Sequence, residues 1–138
     1  MLKKTISYTD YNGLERKEDF YFNLTKAECM EMELSTAGGM QSLIQRIISE
    51  KDNAKIVAMF KELILKSYGE KSADGKRFYK SDDISRDFAA TEAYTELFME
   101  LATNTDSAID FIVNVFPVDA DEARAAIENS KTVEQLNV

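Results

Sequence analysis

The sequence lacks histidine and tryptophan, and it has only one cysteine and one proline in 138 residues. Without histidine there is no imidazole base for a catalytic triad and no imidazole ligand for a metal ion. Cys29 stands alone, so no internal disulfide can form and a disulfide-stapled secreted domain is excluded. Catalysis would depend on carboxylates, and no pair of acids is marked for it. We therefore expect no enzymatic activity, no cofactor and no metal site.

Basic residues are fewer than acidic ones. The chain has 17 Lys and Arg and 25 Asp and Glu, which gives a formal net charge of −8. This charge repels nucleic-acid phosphates and anionic membrane surfaces, so we expect neither as a partner. It suits a protein that resists aggregation or meets a basic partner. The opening "MLKKTISYTDYNG" lacks the apolar segment of a signal peptide, and no run of about 18 apolar residues occurs. We expect a cytoplasmic protein.

The apolar content is sufficient for one core, since hydrophobic residues make up 44% of a chain that has the length of one domain. We expect a single domain over residues 1–138. Within it, a β-hairpin occupies residues 1–24, a helical body residues 25–128, and a frayed tail residues 129–138. The predicted fold class is mainly α: a small helical domain of about five to six helices with an N-terminal β-hairpin.

The hairpin is predicted from alternating apolar residues in "TISYT" and "DFYFNL". Asn12-Gly13 between them is a strong turn signal. A two-residue turn there would put the apolar residues of the two strands on opposite faces. Pairing Ile6 with Phe22 and Tyr8 with Phe20 puts all four on one face, but it requires a longer or bulged loop. We expect the longer loop.

Local patterns also predict the helices in the first half of the chain. Thr25 and Glu28 form a capping box at the start of the first helix. Gly38-Gly39 then predicts a turn or hinge. A second helix runs through the apolar residues of 43–48. The third begins at Asp52 and ends near Gly69, and its apolar stripe consists of Ile56, Val57, Phe60, Leu63 and Ile64.

Further helices are predicted in the second half. One begins at Ser81 and keeps roughly one apolar face as far as Leu101. The next is capped by Thr105 or Asp106 and ends at the single proline, Pro117. A short final helix begins at Asp119.

The last long helix is apolar on more than one side. Phe111 and Val115 lie off its main stripe of Ile109, Ile112, Val113 and Phe116. A helix of this kind is either central in the fold or in contact with another chain. Self-association is therefore a hypothesis that the sequence supports.

The segment "SYGEKSADGKRFYKSDD" invites comparison with two ligand loops. If Gly75 is the invariant glycine of an EF-hand, the first ligand is Glu70 and the last position is Ser81, where a bidentate glutamate is required. A Walker-type phosphate loop fails as well, because Arg77 stands where serine or threonine should follow the lysine. The segment is neither a calcium loop nor a phosphate loop.

The alternative for this segment is a solvated turn. Asp74-Gly75 has the chemistry of a turn tip. We predict such a turn, with a small hairpin closed by Tyr68 and Phe78 as its form.

Two long segments carry a family resemblance. "YGEKSADGKRFYKS" and the following "FAATEAYTELFMELATNTDSAIDFIVNVFP" resemble the tail assembly chaperones of long-tailed, siphovirus-type bacteriophages or prophages, particularly those of Gram-positive hosts. The order of parts is similar too, with a hairpin, a helical middle, this loop and then a long helix. The resemblance covers most of residues 1–117, and it rests on many positions and not on one motif.

The resemblance implies a non-enzymatic assembly factor in the cytoplasm of the bacterial host that is not part of the mature virion. Such a chaperone binds the tape-measure protein and keeps it soluble while tail-tube protein polymerises around it. The family commonly makes a frameshifted longer form of the same chain, and we expect a homo-oligomer. The alternative function is a generic acidic helical adaptor or regulatory module that binds another protein.

If the resemblance holds, our hypothesis is that the loop and the last long helix contact a partner or a second subunit. The residues in this candidate surface are Tyr68, Gly69, Asp74, Gly75, Arg77, Phe78, Phe111 and Val115.

Overall fold

The computed structural model describes residues 1–31 and 36–119 together with the single residues 121, 124, 125 and 128. The elements in this part of the chain are β1 (Leu2–Thr9), β2 (Glu15–Phe22), α1 (Lys26–Glu31), α2 (Thr36–Ser49), α3 (Asn53–Ser67), β3 (Tyr68–Lys71), β4 (Phe78–Tyr79), α4 (Asp82–Ala89), α5 (Glu92–Thr103) and α6 (Thr105–Val115). The strands form one antiparallel sheet in the order β1-β2-β3-β4.

The prediction of a mainly α fold is wrong. The described residues are 57% helical and 19% in strands, which makes this an α+β fold with a four-stranded sheet. The N-terminal hairpin is present, but β3 adds to it, with Tyr21 opposite Gly69 and Phe22 opposite Tyr68. These partners are far apart in the sequence, and the segment around β3 carries no long alternating pattern. Its strand character therefore arises from pairing with β2.

The side-chain face of the hairpin is as expected, but its register is not. Ile6 lies opposite Glu18 and Phe22 lies opposite Leu2, so the predicted pairing of Ile6 with Phe22 is wrong. Directly opposite residues point to the same side of a sheet, and every one of these residues has an even number. The shared inner face therefore still contains Ile6, Tyr8, Phe20 and Phe22.

The expectation of a loop longer than two residues is confirmed. Residues 10–14 connect the strands: the Asp10 N–H donates to the Leu14 carbonyl at 2.9 Å, and the Gly13 N–H donates to the Asp10 carbonyl at 2.9 Å. Gly13 has φ of 81°, which glycine adopts without steric cost. The Asp10 carboxylate accepts the Asn12 and Leu14 N–H groups. It therefore holds the loop in one conformation.

The predicted helix starts at Thr25, Asp52 and Ser81 are confirmed. The Glu28 N–H donates to Thr25 Oγ1 at 3.0 Å, and the Thr25 N–H donates to Glu28 Oε1 at 2.9 Å, which completes the capping box. The side chains of Asp52 and Ser81 accept backbone N–H groups in the first turns of α3 and α4.

The single helix predicted after Ser81 is two helices, α4 and α5. The helix is interrupted at Thr91. The hydroxyl of Thr91 accepts the Tyr94 N–H at 3.2 Å and donates to the Phe88 carbonyl at 2.7 Å. One threonine thus closes the first helix and caps the second. The apolar spacing continues across the break, which is why the pattern alone did not reveal it.

Two further boundaries differ from the predictions. Gly38-Gly39 lies inside α2, which begins at Thr36, and not at a turn or hinge. The side chain of Asn104 caps α6, in place of Thr105 or Asp106. Asparagine is as effective an N-cap as aspartate, so three adjacent residues were all plausible starts.

The end of α6 agrees with the sequence, since the helix stops at Val115 before Pro117. Of the predicted short helix after Asp119, only four residues are described. The predicted tail at residues 129–138 lies outside the described residues. No helix in the described ranges has both the length and the apolar character required to cross a bilayer.

The end of β2 joins the sheet to two helices. The Asn23 N–H donates to the Ser67 carbonyl at 2.8 Å, and the Leu24 N–H donates to the Val115 carbonyl at 3.0 Å. These carbonyls lie at the C-termini of α3 and α6, where helices have unpaired acceptors. The flanking side chains of Phe22 and Leu24 are fully buried. The segment therefore stabilises both helix ends and also contributes to the core.

Aromatic side chains fill the space between the sheet and the helices. Phe88 of α4 stacks on Tyr68, with ring centroids 4.1 Å apart and an interplanar angle of 10°. It also contacts Phe20, Phe22 and Tyr94, with centroids 5.3, 5.8 and 5.9 Å away. Such pairs stabilise by about 0.5–1.5 kcal/mol beyond their area burial. Phe88 thereby ties α4 and α5 to the strands.

The predicted end of α3 near Gly69 is confirmed, because the helix stops at Ser67, but Gly69 does not adopt the positive φ of a glycine cap. The helix passes directly into β3, and Gly69 lies in the strand opposite Tyr21. A Cβ atom at Gly69 would lie 2.6 Å from a ring carbon of Phe78 and 2.8 Å from the Tyr79 carbonyl. Glycine is required because the Phe78 ring and the Tyr79 carbonyl of β4 occupy the space that a side chain would need.

We expect Gly69→Ala to lower the free energy of unfolding by about 1–3 kcal/mol, because the added methyl group overpacks the β3–β4 contact. Urea denaturation followed by circular dichroism measures the loss. In a Phe78→Ala background the ring is gone but the Tyr79 carbonyl remains. There the same substitution should cost less. Equal denaturation midpoints for Gly69→Ala and the unaltered chain would contradict the packing argument.

Candidate functional site

The predicted turn at Asp74-Gly75 is confirmed as the tip of the β3–β4 hairpin. The Ser72 N–H donates to the Arg77 carbonyl at 2.9 Å, and Gly75 has φ of 75°. The Asp74 carboxylate accepts the Ser72 hydroxyl at 2.7 Å and the Lys76 N–H at 3.0 Å, and these bonds lower the pKa of Asp74. The carboxylate is thus engaged within the loop itself, which is typical of a turn.

The hairpin does not close through Tyr68 and Phe78, as was predicted. Phe78 lies opposite Lys71, while Tyr68 pairs with Phe22 on the other side of β3. Tyr68 is half-buried, and this burial raises the pKa of its hydroxyl. Tyr68 therefore supports the core, whereas the hairpin tip projects into solvent.

Among the other candidate residues, Asp74, Gly75 and Arg77 are exposed, and Phe78 is half-buried against Gly69. The structure thus brings six of the candidate residues, Tyr68 included, together in one hairpin. Their contact with a partner stays a prediction.

Phe111 and Val115 lie elsewhere, in the core. Their exposed fractions are 2% and 0%, and the Phe111 ring lies 5.2 Å from that of Phe22. Of the two explanations for an apolar α6, a central helix and a subunit contact, the central position accounts for both side chains within one chain. They do not form a surface with the hairpin.

Lys80, just after β4, makes a junction that the sequence did not indicate. Its Nζ donates to the Asn23 carbonyl at 2.5 Å and to Glu28 Oε2 at 2.6 Å. Burial raises the pKa of Glu28, but hydrogen bonds from Lys80 and Thr25 outweigh it, and the pKa lies below its ordinary value. The capping glutamate of α1 thus also anchors the end of the β3–β4 hairpin.

An open groove of about 880 Å³ lies between α3 and α4, beside this junction. Its apolar lining residues are Ala58 and Leu65 of α3. The charged lining residues are Lys61, Glu62, Lys66, Lys80, Asp82 and Arg86. Four cations against two acids make the groove locally basic, although the whole chain has a formal charge of −8.

Two exposed apolar side chains adjoin groove-lining residues in the sequence, although neither lines the groove itself. Val57, which was predicted to belong to the apolar stripe of α3, is 46% exposed, and it precedes Ala58 in the sequence. Tyr79 is 47% exposed and precedes Lys80. With Ala58 and Leu65 inside it, the groove combines apolar contact area with a charged rim, as peptide-binding grooves do.

No cluster of three or more potential metal ligands occurs in the described ranges. Cys29 is buried, and this burial raises the pKa of its thiol, so the thiolate is disfavoured. The groove and the hairpin thus offer binding surfaces, with no reactive group identified beside them.

Comparison with known proteins identifies the family. The chain matches the phage tail assembly chaperone family over residues 1–137. It belongs to that family. No curated protein and no solved structure matches this chain.

Membership in the family supports a general role as a chaperone of phage tail assembly, which acts together with tail proteins. The match extends beyond residue 117, where the resemblance noted in the sequence ended, and it spans both the hairpin and the groove.

The Lys80–Glu28 pair should control the acid sensitivity of the fold. The folded-state pKa of Glu28 lies below its ordinary value of 4.5, so its stabilisation is present above about pH 4.5 and is lost as the pH falls through the folded pKa. We expect Lys80→Met to raise the pKa of Glu28 and to reduce neutral-pH stability by about 1 kcal/mol, since the pair is only partly buried.

Carboxyl NMR titration and urea unfolding as a function of pH measure these two effects. Lys66→Met is the matched control, because it breaks an exposed pair with Glu62. Such pairs contribute only about 0.3–0.5 kcal/mol. An unchanged Glu28 pKa in Lys80→Met would show that the lysine does not act on this carboxylate.

Proposed function

We propose that this protein binds the tape-measure protein of a long-tailed, siphovirus-type phage or prophage and keeps it soluble during tail-tube assembly. The observation that carries the proposal is the groove between α3 and α4, found in a chain of the tail assembly chaperone family. The mode of action is binding without catalysis.

An amphipathic helix of the client fits the character of this groove. Its apolar side chains would lie against Ala58 and Leu65, which removes them from water. Each 100 Å² of apolar area so covered is worth about 2.5 kcal/mol before the cost of ordering the client. Acidic residues beside the client's apolar stripe would meet Lys61 and Arg86 at the rim. Helix-in-groove recognition of this kind uses anchors on one helical face.

The net charge supports a solubilising role. Outside the groove the chain is strongly acidic, so complexes that carry several copies repel one another. A long helical client with its apolar stripe covered and an acidic coat outside would resist aggregation.

The family resemblance supports further parts of the proposal. The tail-tube protein, other copies of this chain and a frameshifted longer form of it are the additional partners that we propose. The site of action would be the cytoplasm of the bacterial host, with no copies in the mature virion.

Blocking the groove should abolish chaperoning without unfolding the protein. Ala58 is exposed on α3 and lines the groove, so Ala58→Arg places a long charged side chain across the apolar wall of the groove and leaves the core intact. Ser42→Arg on the exposed surface of α2 adds the same charge away from the groove. Each form is co-expressed with the tape-measure protein of the same phage, and the soluble fraction of the tape-measure protein is measured.

We expect the unaltered chain and Ser42→Arg to keep the tape-measure protein soluble, and Ala58→Arg to lose most of this effect. If the unaltered chain does not raise the soluble fraction, the proposed function is wrong. If Ala58→Arg works as well as the unaltered chain, the function stands and the groove is not the client site.

A contact at the hairpin tip is tested by Arg77→Ala. The Arg77 side chain is exposed, and its backbone closes the loop, so the substitution leaves the turn intact. We expect a several-fold lower yield of soluble tape-measure protein with an unchanged Tm. Phe78 is unsuitable for this test because it packs on Gly69. Full chaperone activity of Arg77→Ala would remove the tip from the client surface.

A further inference from the structure

Strand β1 has a free edge. Within the described ranges β1 pairs only with β2, and the sheet ends there. The hydrogen bond from the Asp10 N–H to the Leu14 carbonyl shows that Asp10 directs its backbone groups toward β2. Hydrogen-bonded pairs occur at every second residue of an antiparallel ladder. Even-numbered residues of β1 bond to β2, so the odd-numbered ones direct their N–H and C=O groups away from it. Those residues are Lys3, Thr5, Ser7 and Thr9.

Helix α5 runs beside this edge in the opposite direction. Lys4 near the start of β1 forms an ion pair with Glu100 at 2.9 Å, and beyond the end of β1 the neighbouring Glu92 raises the pKa of the Tyr11 hydroxyl. A cleft of about 210 Å³ separates the strand from the helix, and Glu96 and Glu100 line it together with residues 4–7 of β1. The free edge is therefore one wall of a cleft and α5 is the other.

The α5 wall is acidic. Glu92, Glu96 and Glu100 follow one another at intervals of four residues, so they lie on one face of the helix. Like charges at this spacing are mutually destabilising. Glu100 is paired with Lys4, whereas Glu96 has no ion pair within the described ranges. Its charge faces a cleft with room for a cationic side chain.

We propose that the free edge of β1 binds an extended segment of a partner protein that carries lysine or arginine at alternate positions. The segment adds a fifth strand to the sheet, and its inward side chains enter the cleft toward Glu96 and Glu100. Its outward residues hydrogen-bond to the odd-numbered residues of β1. This surface is separate from the α3–α4 groove, and the proposal does not rest on the function assigned to that groove.

The spacing of the two elements supports this occupant. Alternate residues of a strand are about 6.6–6.8 Å apart. Residues four apart on a helix are separated by about 6 Å along its axis. Successive inward side chains of the added strand therefore meet successive glutamates of α5. Main-chain bonds supply affinity, and the inward side chains supply specificity.

A second copy of this chain fits the edge poorly. Pairing of β1 with another β1 would bring a second α5 to the same side of the sheet, and its three glutamates would face the first three. The lysine on the inward face of β1, Lys4, is already paired with Glu100. Charge therefore favours a basic strand from another protein.

The test uses a short synthetic peptide that alternates lysine with threonine. There are two control peptides. The first has glutamate in place of every lysine, and the second has proline in place of every threonine. The threonines are the residues whose N–H groups would bond to β1, so the proline peptide keeps the charge and loses the ladder. Binding is followed by NMR titration and by amide hydrogen exchange of the full chain.

We expect the lysine–threonine peptide to bind and to slow exchange about tenfold or more at Thr5 and Ser7, because both amides become hydrogen-bonded. The glutamate and proline peptides should not bind. Glu96→Lys should weaken binding about tenfold, since a positive charge that repels the peptide's lysines replaces a negative charge that attracts them. Asp87→Lys on α4 makes the same charge change on an exposed site that does not line the cleft, and it should bind nearly as well as the unaltered chain.

Three results would overturn the proposal. One is the absence of binding by the lysine–threonine peptide. Another is a general attraction to the acidic surface. It would show as binding of the proline peptide equal to that of the lysine–threonine peptide, or as equal weakening of binding by Glu96→Lys and Asp87→Lys. The third is slowed exchange confined to residues outside β1.

Discussion

Two backbone hydrogen bonds at the end of β2 connect the sheet to the helices. The Asn23 N–H donates to the last carbonyl of α3, and the Leu24 N–H donates to the last carbonyl of α6. The side chains of Phe22 and Leu24 in the same segment are buried. Buried helix ends with unpaired carbonyls would be costly, so these bonds determine where both helices stop relative to the sheet. Because α3 ends there, its continuation becomes β3 beside β2. The hairpin, the Lys80 junction and the groove between α3 and α4 all follow from that placement.

The protein separates its charges between two surfaces. The α3–α4 groove is locally basic, while the cleft between β1 and α5 is acidic. In our proposals the groove takes an amphipathic helix and the cleft takes a basic strand. A family member that assists tail assembly acts with other tail proteins, and surfaces of opposite sign allow different segments to be distinguished.

The candidate site was only partly visible in the sequence. The turn at Asp74-Gly75 was predicted correctly because its chemistry is local, and the family resemblance rested on many positions in the same region. Lys80 was missed because its partners, Asn23 and Glu28, are far away in the chain. Phe111 and Val115 were candidates because they are apolar and lie off the main stripe of α6. The structure places both in the core, with Phe111 beside Phe22. Amphipathic spacing shows how much of a helix is buried but not what buries it.

The sequence alone determined the features that depend on neighbouring residues: the caps at Thr25, Asp52 and Ser81, the inner face of the hairpin, the loop longer than two residues and the end of α6 before Pro117. The caps, the loop and the helix end are set by hydrogen bonds or steric limits within a few positions, and the inner face follows from the alternation of side chains along each strand. Only the tertiary structure decided the fold class, the register of the hairpin and the need for glycine at position 69. These depend on the contact of β2 with β3 and of Phe78 with Gly69, and the energy of such contacts comes from surfaces that meet only after the chain has folded.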